Sequence, residues 1–141
     1  MGMLRPVRDR RMAAVLLPLA LAALAGCAAA GGRGEAAAAV ATRLQTAVQG
    51  KDGAAACAVL APDTESEVEQ SGGKPCPEAI LDEDLPGSGA VTATAVYGQW
   101  AQVRIGDDTV FLAVFPGGWR VVAAGCQSRG DRPYDCEVQG G

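Results

Sequence analysis

VTATAVYGQWAQVRIGDDTVFLAVFPGGWRVVAAGC, residues 91–126, decides the fold. Apolar side chains recur at every second position, β-branched and aromatic residues dominate, and turn formers fall at Gly98-Gln99, Asp107-Asp108 and Gly117-Gly118. That spacing predicts a four-stranded antiparallel meander with strands at about 91–97, 100–106, 109–116 and 119–126. With two-residue loops at 107–108 and 117–118, Ile105 faces Val110, Val103 faces Leu112, and Ala101 faces Val114, which in turn faces Val121. One face of the sheet is then wholly apolar and needs a second layer against it. The opposite face receives Trp100, Gln102, Arg104, Phe111, Ala113, Phe115, Arg120 and Val122, joined by Tyr97 through the Gly98-Gln99 loop.

That second face is the candidate interaction surface, through Tyr97, Trp100, Arg104, Phe111, Phe115 and Arg120. Aromatic and arginine side chains are the types enriched at binding hot spots. The competing reading is that the chain's tail covers part of the face while the arginine stems lie over the rings.

Upstream, Ala37, Val40, Leu44, Ala47 and Val48 recur at helical steps, which predicts an amphipathic helix over 35–49, ended by Gly50. Asp52 can cap a second helix reaching about Leu60, and Pro62 can start a third, acidic helix through Gln70. A fourth starts near Pro77, with Ile80, Leu81 and Leu85 as its apolar side. All helix precedes all sheet, so the expected fold is α+β, with N-terminal helices packed on one face of the four-stranded antiparallel meander.

Further upstream, Arg5, Arg8, Arg10 and Arg11 precede an uncharged apolar run from Met12 to Ala25, closed by Leu24-Ala25-Gly26-Cys27. This is the build of a secretory signal. The run is shorter than the ~20 apolar residues that span a bilayer, and Pro18 interrupts it. The segment resembles the lipobox of bacterial lipoproteins, which implies cleavage before Cys27 and acylation of that residue. Cleavage at Ala28-Ala29-Ala30, releasing a soluble protein, is the alternative. The organisation read from the chain is a signal peptide (1–26), a lipidated cysteine with a flexible tether (27–34) and one extracytoplasmic domain (35–141), at the outer side of the cell membrane.

Residues 1–26 carry four of the twelve basic and one of the sixteen acidic side chains, leaving eight against fifteen and a formal charge of −7. Such a field repels polyanions, so nucleic acid is not an expected partner. The remaining cysteines, Cys57, Cys76, Cys126 and Cys136, are even in number in a small exported chain and read as two disulfides. Of the three possible pairings, Cys57 with Cys76 and Cys126 with Cys136 close local, turn-rich segments. Zinc is disfavoured because the chain has no histidine and no Cys-x-x-Cys spacing.

Without histidine, and with its cysteines bridged, the domain offers neither the usual general base nor a thiol nucleophile. The acidic run Asp63, Glu65, Glu67, Glu69 reads as a solvated helix surface, and Asp82, Glu83, Asp84 lacks the interleaved spacing of a calcium loop. No glycine-rich loop stands in a strand-turn-helix context. No catalytic residue, metal or cofactor is expected. The tail from Gln127 to Cys136 reads as a strap tied back by a disulfide, with Tyr134 lying on the sheet.

Taken together, Cys57…Leu60-Ala61-Pro62…Cys76, Gly118-Trp119-Arg120-Val121, Ala124-Gly125-Cys126 and Arg132-Pro133-Tyr134-Asp135-Cys136 resemble a group of small actinobacterial lipoproteins without an assigned activity. Helices followed by a curved sheet also look like the cystatin-like and NTF2-like architectures, which host both pocket enzymes and inert binding modules. The expectation is a non-enzymatic, lipid-anchored binding or accessory domain of the cell envelope, its partner an envelope protein or a small ligand. The alternative is a small-ligand carrier, or a degenerate NTF2-like pocket enzyme, using a cavity between helices and sheet.

Overall fold

The computed structural model describes the backbone of residue 2 and of residues 13–141, and the side chains of residue 2 and of residues 31–141. Arg5, Arg8, Arg10 and Arg11 of the expected signal peptide, and the side chain of Cys27, lie outside the described residues. The chain divides into two compact units, Met1–Gly32 and Arg33–Gly141. Among the described residues no helix is long and apolar enough to cross a membrane.

Among the described residues four helices precede five strands: α1 (Ala13–Gln49), α2 (Gly53–Cys57), α3 (Pro62–Gly72), α4 (Cys76–Ala79), β1 (Val91–Tyr97), β2 (Trp100–Ile105), β3 (Asp108–Phe115), β4 (Gly118–Arg129) and β5 (Arg132–Gln139). The strands form one antiparallel sheet in the order β1-β2-β3-β4-β5. The α+β arrangement is as the sequence indicates, but the sheet has five strands and not four. The tail is a strand rather than a strap: β4 runs past Cys126 to Arg129 and turns at Gly130-Asp131 into β5. Its polar composition hides it, because Val138 is the only buried residue of β5.

The second compact unit begins at Arg33. Arg33 donates to the Gly98 carbonyl and sets its guanidinium 5.6 Å from the centre of the Trp119 ring. These contacts offset the poor helix propensity of the flanking glycines, about 1 kcal/mol each. Asp52 caps α2 as expected, accepting from the Ala55 N–H at 3.0 Å. That helix stops at Cys57 and not at Leu60, because Val59-Leu60-Ala61 turns extended and pairs with β4. Ala61 N–H donates to the Val121 carbonyl (2.8 Å), and Val121 N–H to the Val59 carbonyl (2.9 Å). The last helix shrinks to Cys76–Ala79, but Ile80 and Leu85 still turn toward the core.

Tyr97 pairs with Trp100 across the Gly98-Gln99 turn, as the spacing predicts. The next two turns sit one residue earlier than expected, at Gly106-Asp107 and Pro116-Gly117. Val103 therefore faces Val110 rather than Leu112, Ala101 faces Leu112 rather than Val114, and Leu112 rather than Val114 faces Val121. Gly106 (φ 56°) opens one turn, while Pro116 followed by Gly117 (φ 96°) has the residue pattern of a type II turn in the other. Moving a hairpin turn by one residue changes partners but not faces, since the side-chain period is two.

The core lies between α1 and the inner sheet face, and Leu44, Leu60, Ile80, Val103, Val110, Leu112 and Val121 are no more than 1% exposed. Two disulfides, Cys57–Cys76 and Cys126–Cys136, join local neighbours; the first ties α2 to α4, and the second links directly paired residues of β4 and β5. Paired disulfides in a domain this small point to an oxidising, non-cytoplasmic compartment.

Candidate ligand-binding groove

Parity along the strands puts Tyr97, Trp100, Gln102, Phe111, Ala113 and Phe115 on the outer face. A bulge in β4 extends that face onto β5. Thr109 pairs with Cys126 while Phe111 pairs with Ala123, so β4 carries an extra residue between partners that a regular ladder would set closer together. Gly125, at φ 66°, takes the left-handed conformation there. A Cβ on it would stand 2.9 Å from the Glu137 Cβ, so both backbone and space demand glycine. Across the bulge the sides exchange: Ala124 and its partner Val138 are buried in the core, while Tyr134 reaches the outer face. There Tyr134 stands edge-on to Phe111, centroids 5.0 Å apart and planes at 78°, and accepts a hydrogen bond from Gln102 Nε2 at 3.2 Å.

The result is a groove of about 540 Å³ walled by Trp100, Phe111, Phe115, Pro133 and Tyr134 and floored in part by Val122. Its far lip is the first turn of α3. Pro62 begins that helix, and the buried Thr64 fixes it by donating from Oγ1 to the Val122 carbonyl at 3.1 Å. Gly140 N–H donates to the same carbonyl at 3.0 Å, which brings the chain's last residues to the groove. Asp63, exposed at this lip, is the only charged side chain lining it among the described residues.

Of the residues expected on the interaction face, Trp100, Phe111 and Phe115 line the groove. Tyr97, 66% exposed, and Arg104 stand on the same face outside its lining. Arg120 Nη1 instead donates to the Ala58 (3.0 Å) and Leu60 (3.4 Å) carbonyls, holding the α2–α3 connection against the sheet. Tyr134, Pro133 and Asp63 were not placed at a binding site by the sequence. Pro133-Tyr134 was the available signal, but the side they reach follows register irregularities, at Gly125 and between Gln127 and Arg129, that local pattern does not show.

The space between the layers is filled, and its one buried carboxylate does not face the groove lining. Asp108 Oδ1 accepts from the Cys126 N–H at 2.9 Å, and Oδ2 accepts from Gln45 Nε2 of α1 at 3.2 Å. Burial pushes the Asp108 carboxyl above its ordinary range, against these hydrogen bonds, which favour the charged form. Gln45 Oε1 is buried without a partner among the described residues. Desolvation, then the nearby Glu137 and Asp82 charges, raise Glu83. Among the described residues no group of three or more Cys, Asp or Glu side chains could hold a metal ion. A second concavity, about 680 Å³, lies over Thr42, Arg43, Thr46 and Asp52 and carries no aromatic side chain. No protein-family model, curated protein or solved structure matches the chain.

Proposed function

We propose that this protein is a lipid-anchored binding module of the cell envelope, without catalysis, and that it engages its ligand or partner in the groove on the outer sheet face. One observation carries the reading: four of the six aromatic side chains converge on an open groove, while the space between helices and sheet is filled to 0–2% exposure at its principal residues. A carrier with its cavity between the layers has no room in such a packed interior. An enzyme would need a general acid or base held toward bound substrate, whereas the titratable side chains among the described lining residues are the exposed Asp63 and the Tyr134 phenol, which is engaged with Gln102. In this reading Cys27 supplies the anchor, the basic and apolar leader supports export, and the two disulfides fit an oxidising compartment.

Chemical crosslinking in intact cells, comparing the native protein with the double variant Trp100→Ala, Phe115→Ala, tests the groove. The native protein yields an adduct that the folded variant lacks; equal adducts from both would remove the groove from the function. Fatty-acid labelling abolished by Cys27→Ala is expected of the anchor, and labelling that survives the substitution would remove it.

A further inference from the structure

We infer that the groove selects a free organic cation carrying an alkylated ammonium group, with the aromatic faces as its bed and Asp63 as its counter-charge; this rests on the groove being the binding surface. The chain has only two Trp, two Tyr and two Phe, and four of these six, Trp100, Phe111, Phe115 and Tyr134, line this one concavity. Aromatic rings present a negative quadrupole face, which attracts a cation resting on it. Among the described residues, the charged side chain lining the groove is Asp63, which is negative.

Other ligand chemistries fit less well. An anion would meet no lining cation: Arg104 lies outside the lining, and Arg120 is committed to the Ala58 and Leu60 carbonyls. The N-terminus of α3 carries partial positive charge, but Asp63 and Glu65 occupy its first turn and neutralise it. A metal ion requires several oxygen ligands, and one carboxylate is present. A primary ammonium brings three N–H donors, which the aromatic walls do not match, leaving Asp63, Gln139 and the Tyr134 hydroxyl as the principal side-chain acceptors. An alkylated ammonium has few such donors or none, is weakly hydrated, and keeps its charge against both ring faces and carboxylate. The excess of acidic side chains after residue 26, fifteen to eight, favours cations at longer range. A volume of about 540 Å³ suits a small solute.

The test is an NMR titration of the full chain, following the Trp100 indole N–H, with choline and with its uncharged isostere 3,3-dimethylbutan-1-ol. Choline is expected to shift the resonance saturably, and the alcohol to bind about tenfold more weakly or worse. Asp63→Asn should weaken choline severalfold and leave the alcohol unchanged, while Trp100→Ala should weaken both probes. Equal affinities, or an Asp63→Asn variant that binds choline normally, overturns the cation while Trp100-dependent binding keeps the groove. Binding of neither probe overturns the inference as well, and the crosslinking comparison then judges the groove by itself.

Discussion

Tyr134 of β5 meets Phe111 of β3 edge-on, 5.0 Å between centroids, although β4 lies between their strands in the sheet. Tyr134 lies beyond the β4 bulge at Gly125 and beside a second irregularity between Gln127 and Arg129, and its ring closes one wall of the groove. Tyr134→Ala should therefore cost about 0.5–1.5 kcal/mol of edge-on pairing beyond the buried area, visible in urea unfolding, and should abolish groove binding. A variant that binds as the native protein does would show that this wall is not needed.

Gly125→Ala forces a Cβ into a left-handed backbone and against Glu137. A loss of about 1–3 kcal/mol is expected from strain and overpacking together. Circular dichroism and denaturant titration should show a folded but weakened domain, with the NMR contacts between Tyr134 and Phe111 lost. Unchanged contacts would mean the bulge does not set the side of Tyr134.

The two disulfides should differ in consequence more than in energy. Sequence separations of 19 and 10 give about 3 kcal/mol each in the chain-entropy picture. Replacing Cys57 and Cys76 by serine should lower stability and spare the groove. Replacing Cys126 and Cys136 should lower it similarly but also loosen the hairpin bearing Tyr134, and thus weaken binding. Binding lost equally in both would contradict this division.

The Asp108 carboxyl titrates above its ordinary value of 3.8 in the folded protein, because burial disfavours its charge. The native state then holds the proton more tightly than the unfolded chain. The contribution of this group to stability is greatest below about 3.8 and declines as pH rises through the folded value. Asp108→Asn removes that slope, so the variant should gain on the native protein in thermal unfolding as pH rises from about 3.8. A difference independent of pH would contradict the raised value.

Gly53 sits where a Cβ would come within 1.8 Å of the Pro77 carbonyl oxygen, at the contact of α2 with α4. Gly53→Ala should cost upward of about 1–3 kcal/mol, since backbone must move to admit it. Native-like stability would show that these short helices yield freely.

Much of this was legible in the sequence because it depends on parity. Trp100, Phe111 and Phe115 alternate with Ala101, Leu112 and other inward residues, and a turn displaced by one residue leaves parity intact. The turn positions themselves were not legible, since Asp108 looks like a loop residue until its carboxylate is seen to accept from Cys126 and Gln45. β5 escaped because a mostly exposed edge strand has no apolar alternation to show. Tyr134 and Asp63 could not be assigned to the groove from local pattern: one follows the register irregularities of β4 and β5, the other depends on α3 being fastened to the Val122 carbonyl.

The outer groove as the binding surface is tested most directly by site-specific photocrosslinking in intact cells. A photoreactive residue replaces Tyr97, beside the groove, or Thr42, in the second concavity. An adduct from position 97 that disappears with Trp100→Ala, and none from position 42, is the expected result; adducts from position 42 alone, or adducts at 97 that ignore Trp100, would contradict it.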